Sequence, residues 1–224
     1  ALIVKEPDLS TTIVTFLIIA SMMFITGLSY KLVGIVLGIT IPSIIILLLV
    51  IVNQGSSILE GYQSLRILAW LKPEDYPATA YQQQNSIMAV GSGQFLGKGL
   101  YNTSVDSVKN GNYISEPHTD FIFAVAGEEL GFIGSVLIVL LLLFIGYQCI
   151  QTAKVAKDLS GKLICSGMAA LVGFQSFVNI CVVTGLFPNT GLPLPFVSYG
   201  LTSLVTMYFG MGFVLNVGLQ AKKY

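Results

Sequence analysis

Four long, mostly apolar stretches of this chain carry no charged residue, and they set its organisation. Residues 9–30, 32–59 and 130–153 are three of them, and the fourth covers 163–221. A helix needs ~20 mostly apolar residues to cross ~30 Å of hydrocarbon. Each of the first three stretches therefore predicts one transmembrane helix, the third beginning upstream near Phe121. The fourth is long enough for two, with the turn FPNTGLPLP, residues 187–195, between them. The expected fold is all-α, a polytopic membrane helical bundle of five transmembrane helices with a large extracellular loop over residues 54–122.

The lysines orient this bundle. Lys31 lies between the first two spans, Lys154, Lys157 and Lys162 between the third and fourth, and Lys222 and Lys223 after the fifth. All fall on one side, which the positive-inside rule makes cytoplasmic. Residues 1–8, the long loop and the 188–195 turn then face outside. Arg66, Lys72, Lys98 and Lys109 sit in the long loop, which exceeds the ~60 residues over which the rule counts.

Polar residues inside the spans carry the next information. Gln175 and Asn179, at i and i+4, share one face of the fourth span and are expected to point into the bundle, as glue between helices or as the lining of a substrate groove. Pro42 predicts a kink in the second span. Gly210 and Gly212 permit close helix approach. No internal repeat is evident, so an inverted-repeat transporter is not favoured.

The long loop has order of its own. In SILEGYQSLRILAWL the apolar positions Ile58, Leu59, Tyr62, Leu65, Leu68 and Ala69 recur at helical spacing, with Trp70 suited to headgroup depth. QNSIMAVGSGQFLGKG reads as a second short helix broken by Gly91 and Gly93 and turned by Gly97 and Gly99. Arg66 and Lys98 are thereby presented where a lipid-linked phosphate lies, or where they snorkel to water. In SEPHTDFIFAVAGEELGF, Pro117 suits a first helical position, clustering Glu116, His118 and Asp120 at the start of the third span. On a helix Glu116 and Asp120 share a face, where they can hold a divalent cation or divide acid and base roles. Glu128 and Glu129 lie deeper, and carboxylates at that depth have a function or a partner.

Composition narrows the function classes. Of 224 residues 54% are hydrophobic and 10% charged, the net charge is +0 and the mean hydropathy is +0.81. A balanced, sparse charge provides no basic field, so no nucleic-acid partner is expected, and the apolar excess excludes disorder. Cys149, Cys165 and Cys181 lie in or beside apolar runs without ligand spacing, so they are expected to be packing residues. The opening ALIVKEPDLS has neither an initiator Met nor a basic start before an apolar run. No cleavable signal is expected, and the chain reads as a fragment of a longer membrane protein.

Several strings resemble one family. FPNTGLPLPFVSYGLTSL at 187–204 resembles the C-terminal signature of the FtsW/RodA/SpoVE (SEDS) proteins, and EPHTDFIFAVAGEELGFIG at 116–134 resembles their extracellular loop leading into the eighth span. EPDLSTT at 6–12, RILAWLKPED and AYQQQNSIMAVGSG are similar to further family strings in the same order. The resemblance covers essentially the whole chain. It implies a ten-span fold of which these are spans six to ten, so that residues 1–224 form the C-terminal part of a single membrane domain.

The resemblance further implies a peptidoglycan glycosyltransferase that polymerises lipid II into glycan strands at the outer face of the bacterial cytoplasmic membrane. Its partners would be lipid II, the undecaprenyl-linked strand and a class B penicillin-binding protein. The essential loop aspartate of the family falls on Asp120 and its arginine on Arg66. Candidate substrate-binding residues are Arg66, Lys98, Glu116, His118, Ser198 and Tyr199, and a magnesium or manganese ion would rest on Asp120 and Glu116. No organic cofactor is expected. Leu201 replaces the second glycine of the usual SYGG, Thr190 stands where some division-type members have lysine, and Ser10 stands where the family has glycine. Two other readings remain open: a lipid II flippase, and an inactive fragment serving as a transpeptidase-binding scaffold.

Overall fold

A computed structural model describes residues 9–27, 61–100, 113–114 and 117–220, with isolated positions between 29 and 50 and at 107 and 111. Helices α1 (Leu9–Ile25), α2 (Gly61–Leu71), α3 (Pro77–Ser92), α4 (Ile122–Val155), α5 (Leu159–Val183) and α6 (Leu201–Leu219) follow in order. No strand occurs among the described residues. The chain is an all-α membrane bundle. Helices α4, α5 and α6 are long and apolar enough to span a bilayer, and α1 is a shorter apolar helix.

The boundaries follow local chemistry. α1 stops short of the predicted residue 30 because Gly27, at φ 102°, turns the chain after Thr26. α4 starts beside Phe121, as expected. α5 opens on Asp158, whose carboxylate accepts from the Gly161 N–H at 3.2 Å and so occupies one of the orphan donors of the first turn. α3 is longer than its QNSIMAVGSG core, with Pro77 in the first helical turn, where proline's missing N–H costs nothing.

The second predicted span, 32–59, lies largely outside the described residues, as do residues 1–8, Ile58, Leu59, Lys109, Glu116, Lys222 and Lys223 and most positions around Pro42. The isolated described positions from 31 to 50 are helical.

Helix α5 is the centre of the bundle and packs on α1, α3, α4 and α6. Half of its most apolar window is buried, whereas the corresponding windows of α4 and α6 are mostly exposed and offer apolar faces to lipid or to further helices. Between helices in a membrane, close packing supplies the attraction. Gly210 provides it against Met168, whose sulfur would stand 2.6 Å from an added Cβ, while Gly212 faces open space. Cys149, Cys165 and Cys181 are buried and unbridged, and Cys149 Sγ lies 3.8 Å from Met211 Sδ, in keeping with packing roles.

One break organises the loop end of the bundle. At Gly131 the α4 backbone takes φ 67° and ψ −163°, outside helical values. The peptide groups freed there pair with residues 94–99. Lys98 and Gly99 donate to the Glu128 and Glu129 carbonyls at 2.9 and 3.1 Å, and Phe132 and Ile133 donate to the Gln94 and Phe95 carbonyls at 2.8 and 3.3 Å. The glycines noted in the sequence are what let the two segments meet. A Cβ on Gly93 would strike the Gly127 carbonyl, one on Gly97 the Glu129 carbonyl, and one on Gly131 the Gly97 nitrogen. Gly91 is not a breaker but lies within α3.

Candidate active site

The C-terminal end of α5 and the loop that follows build the floor of the site. A helix leaves its last carbonyls without partners, and side chains from the long loop occupy several of them here. Gln83 Nε2 donates to the Val182 carbonyl at 2.8 Å and the Phe187 carbonyl at 2.6 Å, and Ser86 Oγ to the Val183 carbonyl at 2.9 Å. From α2, Trp70 Nε1 donates to the Gly185 carbonyl at 2.9 Å, and Arg66 Nη1 reaches the Asn189 carbonyl at 3.3 Å. Arg66 and Trp70 are four residues apart, so one face of α2 holds both ends of the 185–189 segment. The buried residues of α2 are Ser64, Ile67, Leu68 and Ala69, whereas Leu65, expected on the apolar face, is exposed. The observed face is set by what α2 packs against. Trp70 is thus tied to the loop by its indole N–H, a contact that its apolar periodicity does not reveal.

Asp120 stands over this floor. Residues 117–121 form turns and α4 begins only at Ile122, which corrects the expectation that Pro117 opens the helix, while Glu116 lies outside the described residues. The turn is pinned through its main chain. The Tyr199 N–H donates to the His118 carbonyl at 2.8 Å, Ser198 Oγ to the Thr119 carbonyl at 2.6 Å, and Asn179 Nδ2 to the Asp120 carbonyl at 2.8 Å. Three successive carbonyls are thereby occupied, and the side chain of Asp120, part-exposed, lies against Gly191, where an added Cβ would come within 3.4 Å of Oδ2. Gly191 has φ 71°, a left-handed conformation that only glycine takes cheaply.

The same donors brace the floor from beneath. Asn179 Nδ2 also donates to the Leu192 carbonyl at 2.6 Å, and Gln175 Nε2 to the Pro193 carbonyl at 2.8 Å. Of the two expectations for this pair, glue describes it better than groove lining, although it joins helix to loop rather than helix to helix. Ser198 accepts from the Leu194 N–H at 2.7 Å, closing a turn in which Phe196 is held at φ 63°. A non-glycine residue in that region costs on the order of 1–3 kcal/mol and persists only where its surroundings fix it.

The candidate residues separate accordingly. Asp120, Arg66 and the main chain of His118 converge on the 187–199 loop. Tyr199 is 79% exposed and its side chain is available to a ligand, but Ser198 is only 2% exposed with its hydroxyl spent on Thr119 and Leu194. It is corrected from a substrate contact to an internal clamp. Lys98 does not join this loop. Its ammonium pairs with Glu128 Oε1 at 2.7 Å, and the Glu128 side chain is 2% exposed, so the cation neutralises a buried carboxylate beside the α4 break. Ser107 Oγ lies 3.4 Å from the other Glu128 oxygen. At ~1.5 Å per residue Glu128 is about 9 Å along α4 from its first residue, well past the turn that carries Asp120. Lys98 and Glu128 instead line a cavity of ≈ 210 Å³ with Asn85, Met88 and Tyr113.

A metal fits this site only in part. Among the described residues no three His, Cys, Asp or Glu side chains gather as ligands, and Glu116 lies outside them. An all-protein cage is therefore not formed by the described residues, although magnesium commonly takes one or two carboxylates together with substrate phosphates.

Sequence reasoning undervalued Gln83, Ser86 and Asn179. Only the fold shows that Gln83 and Ser86, three residues apart on α3, aim at carbonyls of residues 182–187, while Asn179 aims at those of Asp120 and Leu192.

These features define a multi-pass helical membrane protein whose folded interhelical loop presents a carboxylate over a clamped, proline-rich turn. The chain belongs to the FtsW/RodA/SpoVE family: the family model described as "Cell cycle protein" matches residues 1–223. It is 36% identical over 226 residues to the probable peptidoglycan glycosyltransferase FtsW of Buchnera aphidicola subsp. Acyrthosiphon pisum, covering 99% of this chain and 53% of the relative. It is 36% identical over 222 residues to the protein of the same description from Geobacter sulfurreducens, covering 99% of this chain and 56% of the relative. A solved structure described as "Structural coordination of polymerization and crosslinking by a peptidoglycan synthase complex" matches with a TM-score of 0.71 at 29% identity, over 98% of this chain and 58% of that one. The chain thus spans a little over half the length of these relatives.

Proposed function

We propose that the protein is a peptidoglycan glycosyltransferase that polymerises lipid II at the outer face of the bacterial cytoplasmic membrane, with Asp120 as its general base. The observation that carries this reading is the fixing of residues 118–120 by hydrogen bonds to their three main-chain carbonyls, which holds a part-exposed carboxylate over a loop that Arg66 also reaches. Glycosyl transfer needs a base for the acceptor hydroxyl and stabilisation of the leaving group. Asp120 takes the proton of the lipid II N-acetylglucosamine 4-hydroxyl as its oxygen bonds to the anomeric carbon of the growing strand. The bond from that carbon to the diphosphate breaks, and undecaprenyl diphosphate departs with its charge met by Arg66. Direct displacement inverts the anomeric centre and needs no covalent enzyme intermediate. A magnesium or manganese ion would be held by Asp120 and Glu116 with the substrate's phosphate oxygens, supplying charge neutralisation.

The orientation rests on the lysines. Lys154 lies at the end of α4 remote from Asp120, with Lys157 and Lys162 following it, so the Asp120 end faces outside. A class B penicillin-binding protein is the proposed partner, supported by the likeness to a complex that couples polymerization with crosslinking. The role lies in wall synthesis for cell shape, division or sporulation.

In the full-length protein, reconstituted with lipid II, Asp120→Asn is expected to lower strand polymerisation about 10²–10⁴-fold, the range for loss of a general base, with folding preserved. Polymerisation by this variant at the wild-type rate overturns the assignment.

A further inference from the structure

An asparagine buried in the last turns of a membrane-spanning helix is an expensive residue, and Asn179 is 1% exposed. Its Oδ1 finds no hydrogen-bond partner among the described residues, so the amide is retained despite an orphaned acceptor. Its Nδ2 makes two bonds, to the Asp120 carbonyl at 2.8 Å and to the Leu192 carbonyl at 2.6 Å. These acceptors belong to separate segments, the turn before α4 and the loop after α5. Leu192 directly follows Gly191, against which the Asp120 carboxylate lies. One nitrogen on the rigid central helix therefore sets the main chain of Asp120 relative to the surface beneath its side chain. Of the small polar side chains, only the amide brings two N–H donors on one atom. A serine brings one O–H, and an ionised aspartate brings none.

We infer that Asn179 is a positioning residue for glycosyl transfer, acting through the main chain of Asp120 to hold its carboxylate against the 191–192 floor. This rests on the reading of Asp120 as the base. Ser198 closes the adjacent Thr119 carbonyl, but it does so from within the loop and also shapes that loop's own turn. Asn179 instead ties the turn to the helix at the bundle's centre.

The test compares wild type, Asn179→Asp and Asn179→Ala in the full-length protein, reconstituted with lipid II. Asn179→Asp keeps size and shape but cannot serve both carbonyls, since an ionised carboxylate brings no donor and a protonated one brings a single O–H, so it separates the paired hydrogen bonding from packing. Both variants are expected to lose kcat about 10- to 100-fold, the scale of a displacement of the order of 1 Å at a reacting group. KM and lipid II binding stoichiometry should stay within about two-fold. Hydrogen–deuterium exchange of the amides at 118–121 should rise in both. An Asn179→Asp protein that keeps kcat within two-fold of wild type overturns the inference, as does stoichiometry falling in step with the rate, which marks simple loss of folded protein. Asp120→Asn, run alongside, separates the two failures: if it polymerises normally, the base assignment falls and this inference with it. If it is inactive while Asn179→Asp is active, only the positioning role is lost.

Discussion

Replacing Gly131 with alanine probes the interlock between α4 and residues 94–99. Two costs follow from the structure. The backbone at φ 67° and ψ −163° lies in a region that is nearly glycine-only, and a side chain there costs about 1–3 kcal/mol. The new Cβ would also press on main-chain atoms, with the Phe95 oxygen at 2.7 Å and the Leu96 carbonyl carbon at 2.8 Å besides the Gly97 nitrogen. Backbone cannot swing aside as a flexible side chain does, so at least two of the four bonds that close the break must stretch, at about 1 kcal/mol each. The sum is about 3–5 kcal/mol, or a melting temperature lower by roughly 6–20 °C for a chain of this size. Thermal unfolding in detergent micelles provides the measurement, with two glycines as internal controls. Gly99 has φ 94° but nothing within 4 Å of an added Cβ, so Gly99→Ala should carry the backbone cost alone, about 1–2 kcal/mol. Gly91 lies in a helix facing open space, and Gly91→Ala should be neutral or stabilising by up to about 1 kcal/mol. Equal melting of the Gly131 and Gly99 variants would refute the interlock as a source of stability.

Two further substitutions test the supports of the site. Lys98→Met removes the ammonium that pairs with the buried Glu128 carboxylate and should cost about 2–4 kcal/mol, below the usual cost of breaking a buried pair because the lysine side chain is 29% exposed. Adding Glu128→Gln should restore most of the loss in the same melting assay, and a double variant as unstable as the single one would argue against the pair. Ser198→Ala removes a donor from the Thr119 carbonyl and an acceptor from the Leu194 N–H, for about 1–3 kcal/mol. Tyr199→Phe, at an exposed side chain, should leave stability within about 0.5 kcal/mol of wild type, and melting curves of the two proteins side by side would show whether the clamp or the surface tyrosine matters.

Much of the architecture was legible because a bilayer imposes a simple rule on length and charge. The α4 and α5 spans, the α2 helix and the turning glycines at 97 and 99 all follow from runs, periods and punctuators in the sequence. The site was legible only as a set of names. Asp120 and Arg66 were marked by resemblance, and the structure brings both to the 189–191 stretch. Lys98, equally suggestive as a cation in the same loop, turns out to serve Glu128, and Ser198 faces inward. Nothing in local spacing separates these outcomes, since each depends on a partner tens of residues away.

The hydrophobic pattern by itself determined that this chain is solvated by lipid and where the spans α4 and α5 run, because removing unpaired charge and backbone from hydrocarbon leaves few alternatives. Tertiary structure alone decided which polar groups meet. The free carbonyls at the Gly131 break, at the end of α5 and along residues 118–120 each had to find a donor. The amides of 98–99, the side chains of Gln83, Ser86 and Asn179, and Ser198 are where packing supplied one. A buried peptide group must be satisfied, but its own sequence does not say by whom.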